Sequence, residues 1–316
     1  MIRIDNLTKY YGDFRAVDSI SFSVNDGEIL GFLGPNGAGK TTTLKILTCF
    51  MPPSEGAIHF DDLNVRDNSM EIRRMIGYLP ENAPVYEYMS IREYLEYICD
   101  LRDIYGPRRK DRMDAMIETC GLSKMMGKDI GDLSKGYRQR VGIAQAMIHE
   151  PKVLILDEPT IGLDPNQIVE IRNLIRNIGK EKTVILSTHI LSEVEATCDR
   201  VVIISAGEIV ADGTPDSLQD KLACQSTLFL EVKGTDAGMA DAFSGIEGVE
   251  KIHCVAENAG GSARLEIGVK RGHDIREEIF RKTVENGWVI LEMRQSRTNL
   301  EEVFRQLTQS QGAVTQ

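Results

Sequence analysis

One stretch constrains this chain more than any other, Gly34-Pro35-Asn36-Gly37-Ala38-Gly39-Lys40-Thr41. It fits the spacing Gly-x-x-x-x-Gly-Lys-Ser/Thr, with an apolar run at residues 29–33 before it and a helix-forming run from Thr42 after it. The pattern predicts a buried strand, a tight loop and the start of a helix. Backbone N–H groups of such a loop close around phosphate oxygens, and the helix N-terminus adds a favourable dipole. Lys40 adds a positive charge and Thr41 a hydroxyl ligand for Mg²⁺, so the predicted ligand is a nucleotide triphosphate.

The motif alone leaves a second interpretation open. Four fixed positions also arise by chance, and a glycine-rich strand-to-helix turn with a solvated lysine would show the same letters. The strand before the loop and the helix after it favour the phosphate site.

The composition is that of an ordinary soluble globular protein. The 316 residues are 42% hydrophobic and 27% charged, and a chain of this length usually forms two domains. The formal net charge of −11 gives no sign of a nucleic-acid tail, so no nucleic-acid partner is expected, although a local basic patch stays open.

The cysteine pattern and the lengths of the apolar runs bear on the expected cellular compartment of the chain. No Cys-x-x-Cys pair occurs, which favours reduced, buried thiols in a cytoplasmic protein over a zinc site. No apolar run approaches the roughly 20 residues of a membrane span, and Met1 to Asp5 contain no signal-peptide core. Any membrane role is therefore expected to come through a partner.

The order of patterns predicts an α/β domain over residues 1–222. Apolar strands at 153–156, 184–186 and 201–204 alternate with helices, which favours a largely parallel sheet buried on both faces. A helical insertion at about 86–150 interrupts this pattern. Its first helix starts with a capping box of Ser90 and Glu93.

Beyond residue 222 the pattern changes to strand, helix, two strands, helix and strand. This order predicts a small α+β ferredoxin-like domain at 223–310, with a final helix from Asn299 to Leu307 and a flexible tail at 311–316.

Three polar residues follow buried strands at the edge of the sheet where ligands bind. Asp157 is placed to hold Mg²⁺, Glu158 to orient or deprotonate an attacking water, and His189 to hydrogen-bond the terminal phosphate. The alternative is a helix-capping carboxylate pair beside an ordinary polar histidine. The presence of Lys40 in the same predicted sheet favours the catalytic interpretation.

A second anion site is indicated at Leu133-Ser134-Lys135-Gly136-Tyr137. A serine hydroxyl, a glycine N–H and a helix N-terminus offer the same chemistry as the first loop. A simple helix cap explains these residues equally well when they are taken alone. Because the first loop already satisfies one triphosphate, a second site suggests a composite arrangement.

Together these motifs resemble the ATP-binding subunit of ABC transporters over about residues 1–215. Gly34 to Thr41 resembles the Walker A loop, Leu133 to Tyr137 the signature loop, and Val153 to Glu158 Walker B. Ile161 to Asp164 resembles the D-loop, and His189 the switch histidine. Within that family the chain is most similar to exporter-type and gliding-motility-type subunits, which carry one cassette and a small C-terminal domain. The resemblance implies a P-loop NTPase fold of the ABC type.

The resemblance also implies roles for single residues. Tyr11 would stack on adenine, beside the ATP-binding residues Gly34 to Thr42. Two copies would pair head to tail, so that Ser134, Lys135 and Gly136 of one copy meet the ATP held by Lys40 of the other. The loop Gly77 to Glu81 would sense Mg²⁺, with Thr41, Glu81 and Asp157 as the metal-binding residues, and would contact a transmembrane permease.

This sequence departs from the family pattern at three positions. Glu81 stands where a glutamine is usual, Lys135 where a glycine is usual and Tyr137 where a glutamine is usual. A carboxylate ligates Mg²⁺ at least as well as an amide but adds charge near the phosphates. Since Ser134 and Gly136 are present, ATP hydrolysis is expected to survive.

The expected function is the ATP-hydrolysing motor of a two-component membrane exporter, peripheral on the inner face of the membrane. Tyr86, Tyr88 and Met89 are candidate contacts for the permease, or else they pack locally. One alternative is an ABC-type ATPase acting on nucleic acid or ribosomes without a membrane partner, and another is a subunit that binds ATP without hydrolysing it. A single phosphate loop argues against the first, and Glu158 with His189 against the second.

Overall fold

A computed structural model describes residues 1–222, 225–234, 239–258, 262–270 and 273–296. The chain divides into two compact units after Pro215. Cys224, the predicted helix at 299–307 and the predicted tail at 311–316 lie outside the described residues.

The first unit is an α/β structure. Its elements are β1 (Ile2–Tyr11), β2 (Phe14–Val24), β3 (Ile29–Leu33), α1 (Lys40–Leu47), β4 (Glu55–Phe60), β5 (Leu63–Asn64), α2 (Ser69–Met75), β6 (Ile76–Leu79), α3 (Ile91–Leu101), α4 (Gly106–Thr119), α5 (Lys135–Met147), β7 (Val153–Asp157), α6 (Pro165–Gly179), β8 (Thr183–Thr188), α7 (Leu191–Thr197), β9 (Arg200–Ser205) and β10 (Glu208–Gly213). Short 3-10 turns at Ser123–Met125 and Ile130–Asp132 precede α5. The helix α8 (Pro215–Leu222) follows β10.

Two sheets form this unit. An antiparallel sheet has the order β2-β1-β4-β5, and a six-stranded sheet has the order β10-β9-β3-β8-β7-β6. In the six-stranded sheet all neighbours except β9 and β10 are parallel. Every residue of β3, β7 and β8 is buried, as expected for parallel strands covered on both faces. The predicted parallel sheet is confirmed, and it brings the ends of β3, β7 and β8 together at one edge.

The helical insertion is also confirmed. α3, α4 and α5 lie between β6 and β7, and α3 begins with the predicted capping box: Ser90 accepts from the Glu93 amide while the Glu93 carboxylate accepts from the Ser90 amide. Such reciprocal bonds satisfy backbone donors that a helix start otherwise leaves free.

The end of α1 differs from the sequence expectation. The proline pair at 52–53 suggests a helix reaching about Met51, but α1 ends at Leu47. Cys49 adopts the left-handed conformation with φ +57°. Its amide donates a hydrogen bond to the Ile46 carbonyl, and the Phe50 amide donates to the Lys45 carbonyl. These bonds form a Schellman motif, which closes the helix before the prolines are reached.

The second unit has the order strand, helix, two strands, helix and strand. Its elements are β11 (Gln225–Lys233), α9 (Met239–Ser244), β12 (Val249–Asn258), β13 (Ser262–Lys270), α10 (Arg276–Glu285) and β14 (Val289–Ser296). The strands form an antiparallel sheet in the order β12-β13-β11-β14. Leu230, Ile267, Phe243 and Ile279 meet in one core. This is the predicted ferredoxin-like arrangement.

Within the described ranges, no helix has both the length and the apolar character that crossing a membrane requires.

Candidate nucleotide-binding site

The loop between β3 and α1 has a conformation that requires glycine at Gly39. Gly39 has φ +108°, and a Cβ added there would lie 2.6 Å from the Ala16 carbonyl oxygen. The first residue of the loop, Gly34, donates its amide hydrogen to the Thr188 carbonyl at 3.3 Å. These contacts hold the loop against the ends of neighbouring strands, with α1 starting directly at Lys40.

Lys40 is buried and points back across the loop. Its ammonium donates to the carbonyl oxygens of Gly34 at 2.8 Å and Pro35 at 3.3 Å. It also lies 3.2 Å from Oε1 of Glu158. The side chains of this ion pair are only 6% and 7% exposed. The Lys40 ammonium thus contacts a carboxylate and two carbonyl oxygens at the position where a phosphate-binding lysine is expected.

Glu158 sits directly after β7 in a strained backbone conformation. Its φ is +49°, which is uncommon for a residue other than glycine, asparagine or aspartate. Its amide donates to Ser187, at 3.2 Å from the carbonyl oxygen and 3.0 Å from the hydroxyl. Nδ1 of His189 donates to its Oε2 at 2.9 Å. Such strain is characteristic of active sites, and here it aims the carboxylate between a lysine and a histidine.

Asp157 is the last residue of β7 and is 1% exposed. Its Oδ1 accepts hydrogen bonds from the hydroxyls of Ser187 at 2.5 Å and Thr41 at 3.3 Å. Burial raises the pKa of Asp157 and outweighs the two hydrogen bonds, which act to lower it. A buried carboxylate beside a hydroxyl offers the oxygen ligands that Mg²⁺ takes, so these residues fit a magnesium ion.

A pocket of about 460 Å³ opens beside this cluster. Of the predicted residues it is lined by Tyr11, Asn36, Gly37, Gly39, Lys40, Thr41, Thr42, Glu81 and Glu158. Tyr11 is 47% exposed and presents a ring there, as stacking on a base requires. Phe14, Ala16 and Ile161 also line the pocket, and none of them was singled out for nucleotide binding from the sequence.

The second predicted anion site does not line this pocket of the same copy. Ser134 is the N-cap of α5, and its hydroxyl accepts from the Tyr137 amide at 3.4 Å and from Nε2 of Gln167 at 3.4 Å. A Cβ added at Gly136 would lie 2.7 Å from the Gln167 side chain. Lys135 is exposed and makes no hydrogen bond or ion pair with the residues that the structure describes. Within one copy, Gln167 thus bonds the Ser134 hydroxyl and covers Gly136, whereas the Lys135 ammonium has no polar partner among the described residues.

The segment Gly77 to Glu81, predicted as a loop, belongs to β6 up to Leu79, where it pairs with β7. It borders both the nucleotide pocket and a larger groove. That groove, of about 790 Å³, is lined by Tyr78 and Pro80 of this segment and also by Lys45, Thr48, Phe50, Arg73, Ile76, Pro84, Arg102, Gln145 and Ala146. Phe50 is 71% exposed. Tyr86, one of the candidate partner contacts, instead packs edge-on against Tyr94 and Tyr97. Tyr88 is 77% exposed and Met89 is half-buried.

Sequence reasoning missed the residues that support the candidate catalytic residues through hydrogen bonds. Ser187 and Thr188 follow the predicted apolar strand at 184–186 and end β8, and Ser187 bonds both Asp157 and the amide of Glu158. Glu193 accepts from the Thr188 hydroxyl at 2.8 Å. The available signal was a run of polar residues at the carboxyl end of an apolar strand, where ligand sites of parallel sheets lie.

The comparisons with known proteins agree with this geometry. The family model described as "ABC transporter" matches residues 17–161, and an AAA domain model matches residues 129–195. The bacitracin transport ATP-binding protein BcrA of Bacillus licheniformis is 36% identical over 309 residues, covering 97% of each chain. The linearmycin resistance ATP-binding protein LnrL of Bacillus subtilis is 30% identical over 311 residues, covering 98% of each chain.

Solved structures of cassettes are also similar to this chain. An ATP-binding subunit of an ABC transporter has a TM-score of 0.63 at 30% identity, covering 70% of this chain and 92% of that one. A dimeric cassette in a post-hydrolysis state, bound to ADP and Pi, has a TM-score of 0.61 at 26% identity, covering 68% and 98%. With two relatives matched along almost their whole length, the chain belongs to the family of ABC transporter ATP-binding proteins and is an ABC-type ATPase.

Proposed function

We propose that this chain powers a two-component membrane exporter by binding and hydrolysing ATP between two copies of itself. The observation that carries the proposal is the cluster of Lys40, Asp157, Glu158 and His189 beside the pocket of the phosphate loop. The transport and resistance names of the full-length relatives support the export role. The relatives do not favour the alternative of a soluble ATPase acting on nucleic acid or ribosomes.

Within one copy, each predicted residue has a task that its position supports. The amides of Asn36, Gly37 and Gly39 to Thr42, together with the Lys40 ammonium, bind the phosphates, while Tyr11 stacks on the base. Gly34, Pro35 and Ala38 shape the loop, because the amides of Gly34 and Ala38 are donated to protein carbonyls and Pro35 has no N–H. Phosphate oxygens replace Glu158 as the partner of Lys40. Glu158 is thereby freed from the ion pair and stays bound to His189 at the edge of the pocket.

Hydrolysis then follows from the position of Glu158. The carboxylate accepts a proton from a water, the water oxygen forms a bond to the γ-phosphorus, and the bridging oxygen leaves with ADP. His189 orients Glu158 by donating from Nδ1, and a second hydrogen bond from Nε2 to the γ-phosphate would require the imidazolium form, in which both ring nitrogens carry a proton. Mg²⁺ held by Thr41, Asp157 and Glu81 would offset negative charge on the phosphates.

The second half of the site comes from the other copy. Ser134, Lys135 and Gly136 lie at the start of α5, whose first turn contains no acidic residue. Helix N-termini of this kind bind phosphate oxygens, and the exposed Lys135 ammonium adds charge. Glu81 and Glu158 line this pocket, and among the described residues that line it Lys40 is the only cation. One pocket is therefore short of positive charge for a triphosphate. A second copy placed head to tail supplies what is missing.

The groove beside Gly77 to Glu81 is the proposed contact for the permease. Its wall carries the exposed ring of Phe50, and Lys45, Arg73 and Arg102 surround it. Tyr78 and Pro80 line the groove and lie in the segment that ends at Glu81, which lines the nucleotide pocket. A partner bound in the groove is therefore coupled to the pocket through this segment. The chain would thus sit on the cytoplasmic face of the membrane through that partner.

The test compares purified wild type with Glu158→Gln in ATP binding and phosphate release. We expect the variant to bind Mg-ATP at least as tightly as wild type. Its rate of hydrolysis should be lower by a factor of about 100 or more, because an amide accepts no proton from water. Co-purification with a membrane protein encoded beside this chain tests the export role. Equal hydrolysis by both proteins contradicts the proposed chemistry, and co-purification with RNA contradicts the proposed partner.

A further inference from the structure

Glu193 is a buried carboxylate that the proposed hydrolysis does not use. It lies in α7, four residues after His189. Its Oε2 accepts from the Thr188 hydroxyl, and its Oε1 has no hydrogen-bond partner among the described residues. No ion pair is made by Glu193 within those ranges either. A buried carboxylate with so little compensation costs free energy, so fold stability does not account for this residue.

Thr188 connects Glu193 to the catalytic cluster. Its hydroxyl donates to Glu193 at 2.8 Å and accepts from the Ile190 amide at 3.0 Å. Its carbonyl accepts from the amide of Gly34, the first residue of the phosphate loop. Thr188 and Ile190 flank His189, so these bonds fix the backbone on both sides of the imidazole.

The direction of the hydroxyl proton is the key step. A threonine hydroxyl has one proton, and it can accept from the Ile190 amide only when that proton points elsewhere. Glu193 takes the proton in a charge-assisted bond, which leaves a lone pair of the oxygen facing the amide. The turn that results presents Nδ1 of His189 to Glu158 at 2.9 Å.

We propose that Glu193 is a positioning residue of the ATPase site, which acts through the Thr188 hydroxyl to hold His189 against Glu158. The inference rests on the roles proposed above for Glu158 and His189. Neither Glu193 nor Thr188 lines the nucleotide pocket. Their removal should therefore affect kcat and leave ATP binding nearly unchanged.

The test uses the full-length chain and Mg-ATP. Glu193→Ala and Thr188→Val should each lower kcat about tenfold with KM within about twofold of wild type. Thr188→Ser keeps the hydroxyl, and the Glu193→Gln amide oxygen still accepts its proton, so both should recover most of the loss. Thr197→Val is the matched control, because Thr197 lies in the same helix and its buried hydroxyl has no partner in the part of the chain that the structure describes. It should leave kcat unchanged.

A double-mutant cycle shows whether the effect passes through His189. In a His189→Ala background, Glu193→Ala should cause no further loss, since the group it positions is gone. A wild-type kcat for Glu193→Ala, an equal loss in both backgrounds, or a parallel loss of ATP affinity overturns the inference. If Glu193→Ala fails to fold by thermal melting, the Thr188→Val and Thr188→Ser pair carries the same test. Absence of hydrolysis in the wild type would instead contradict the proposed function.

Discussion

The ammonium of Lys40 and the carboxylate of Glu158 form a buried ion pair at 3.2 Å. The residue expected to bind phosphate and the residue expected to activate water therefore neutralise each other's charge. A buried pair of this kind is costly to break on one side only, because the remaining charge is left without its partner. On the proposed function, ATP would avoid that cost, because its phosphates would replace the carboxylate beside Lys40.

Replacing Lys40 should therefore affect both binding and folding. We expect Lys40→Met to weaken ATP binding at least 100-fold, and to lower the free energy of unfolding by about 1–3 kcal/mol because Glu158 stays buried with only His189 beside it. Calorimetric titration with Mg-ATP and thermal melting measure the two effects. Lys45→Met, in the same helix but in the other groove, is the control that should still bind ATP. Normal ATP binding by Lys40→Met would contradict the assigned pocket.

The phosphate loop should tolerate no side chain at Gly39. Gly39→Ala combines a left-handed backbone with a contact of 2.6 Å to the Ala16 carbonyl, so we expect a loss of about 2–4 kcal/mol in the free energy of unfolding. Gly12→Ala is the matched control, because Gly12 also has a positive φ, +58°, but open space around it. Its cost should stay near 1 kcal/mol. Urea denaturation of both variants checks the difference, and equal losses would rule out the close contact.

His149 should make the fold sensitive to mild acid. Burial lowers its pKa to about 4, helped by nearby Arg102, while its Nε2 donates to the Ile76 carbonyl at 3.0 Å. The unfolded chain has a histidine pKa of about 6.5, so between pH 6.5 and 4 it binds more protons at this position than the folded chain does. Stability is therefore lost as pH falls through this window and is independent of His149 above it.

The measurement compares melting temperatures of wild type and His149→Gln from pH 7.5 to 4.5. The glutamine amide can still donate to Ile76 but does not titrate in this range. We expect the melting temperature of wild type to fall further than that of the variant below pH 6.5. Parallel curves over the whole range would show that His149 is not held neutral in the folded chain.

Much of the fold follows from local sequence patterns. The strands β7, β8 and β9 could be predicted from their apolar runs and the turn residues around them. The capping box of Ser90 and Glu93 could be predicted from the spacing of the two residues. The predicted end of α1 near Met51 is wrong, because the helix closes at Leu47, before the prolines at 52–53. The helix ends because Cys49 adopts the left-handed conformation, which a cysteine side chain gives no reason to predict.

The part of the site that lies at the carboxyl ends of the parallel strands could be predicted from the sequence. Placing Asp157, Glu158 and His189 near Lys40 required only that parallel strands share one edge. The pairing of Lys40 with Glu158 and the bond from Thr188 to Glu193 depend on backbone angles and side-chain directions set by tertiary packing. Spacing along the chain carries no signal for such contacts.

The central claim is that each ATP is shared by Lys40 of one copy and Ser134 to Gly136 of another. A mixing experiment tests it with Lys40→Met and Ser134→Asp, two variants that each damage one half of every site. Aspartate keeps the N-cap of α5 but sets a carboxylate against the phosphates, so the helix start is preserved.

Each variant alone should hydrolyse little ATP, whereas a mixed pair contains one intact site, built from Lys40 of the Ser134→Asp copy and Ser134 of the Lys40→Met copy. We predict that ATP turnover by the equimolar mixture clearly exceeds the sum of the separate proteins. A mixture no more active than that sum, from variants that melt like wild type with Ser134→Asp still binding ATP, would contradict the shared site.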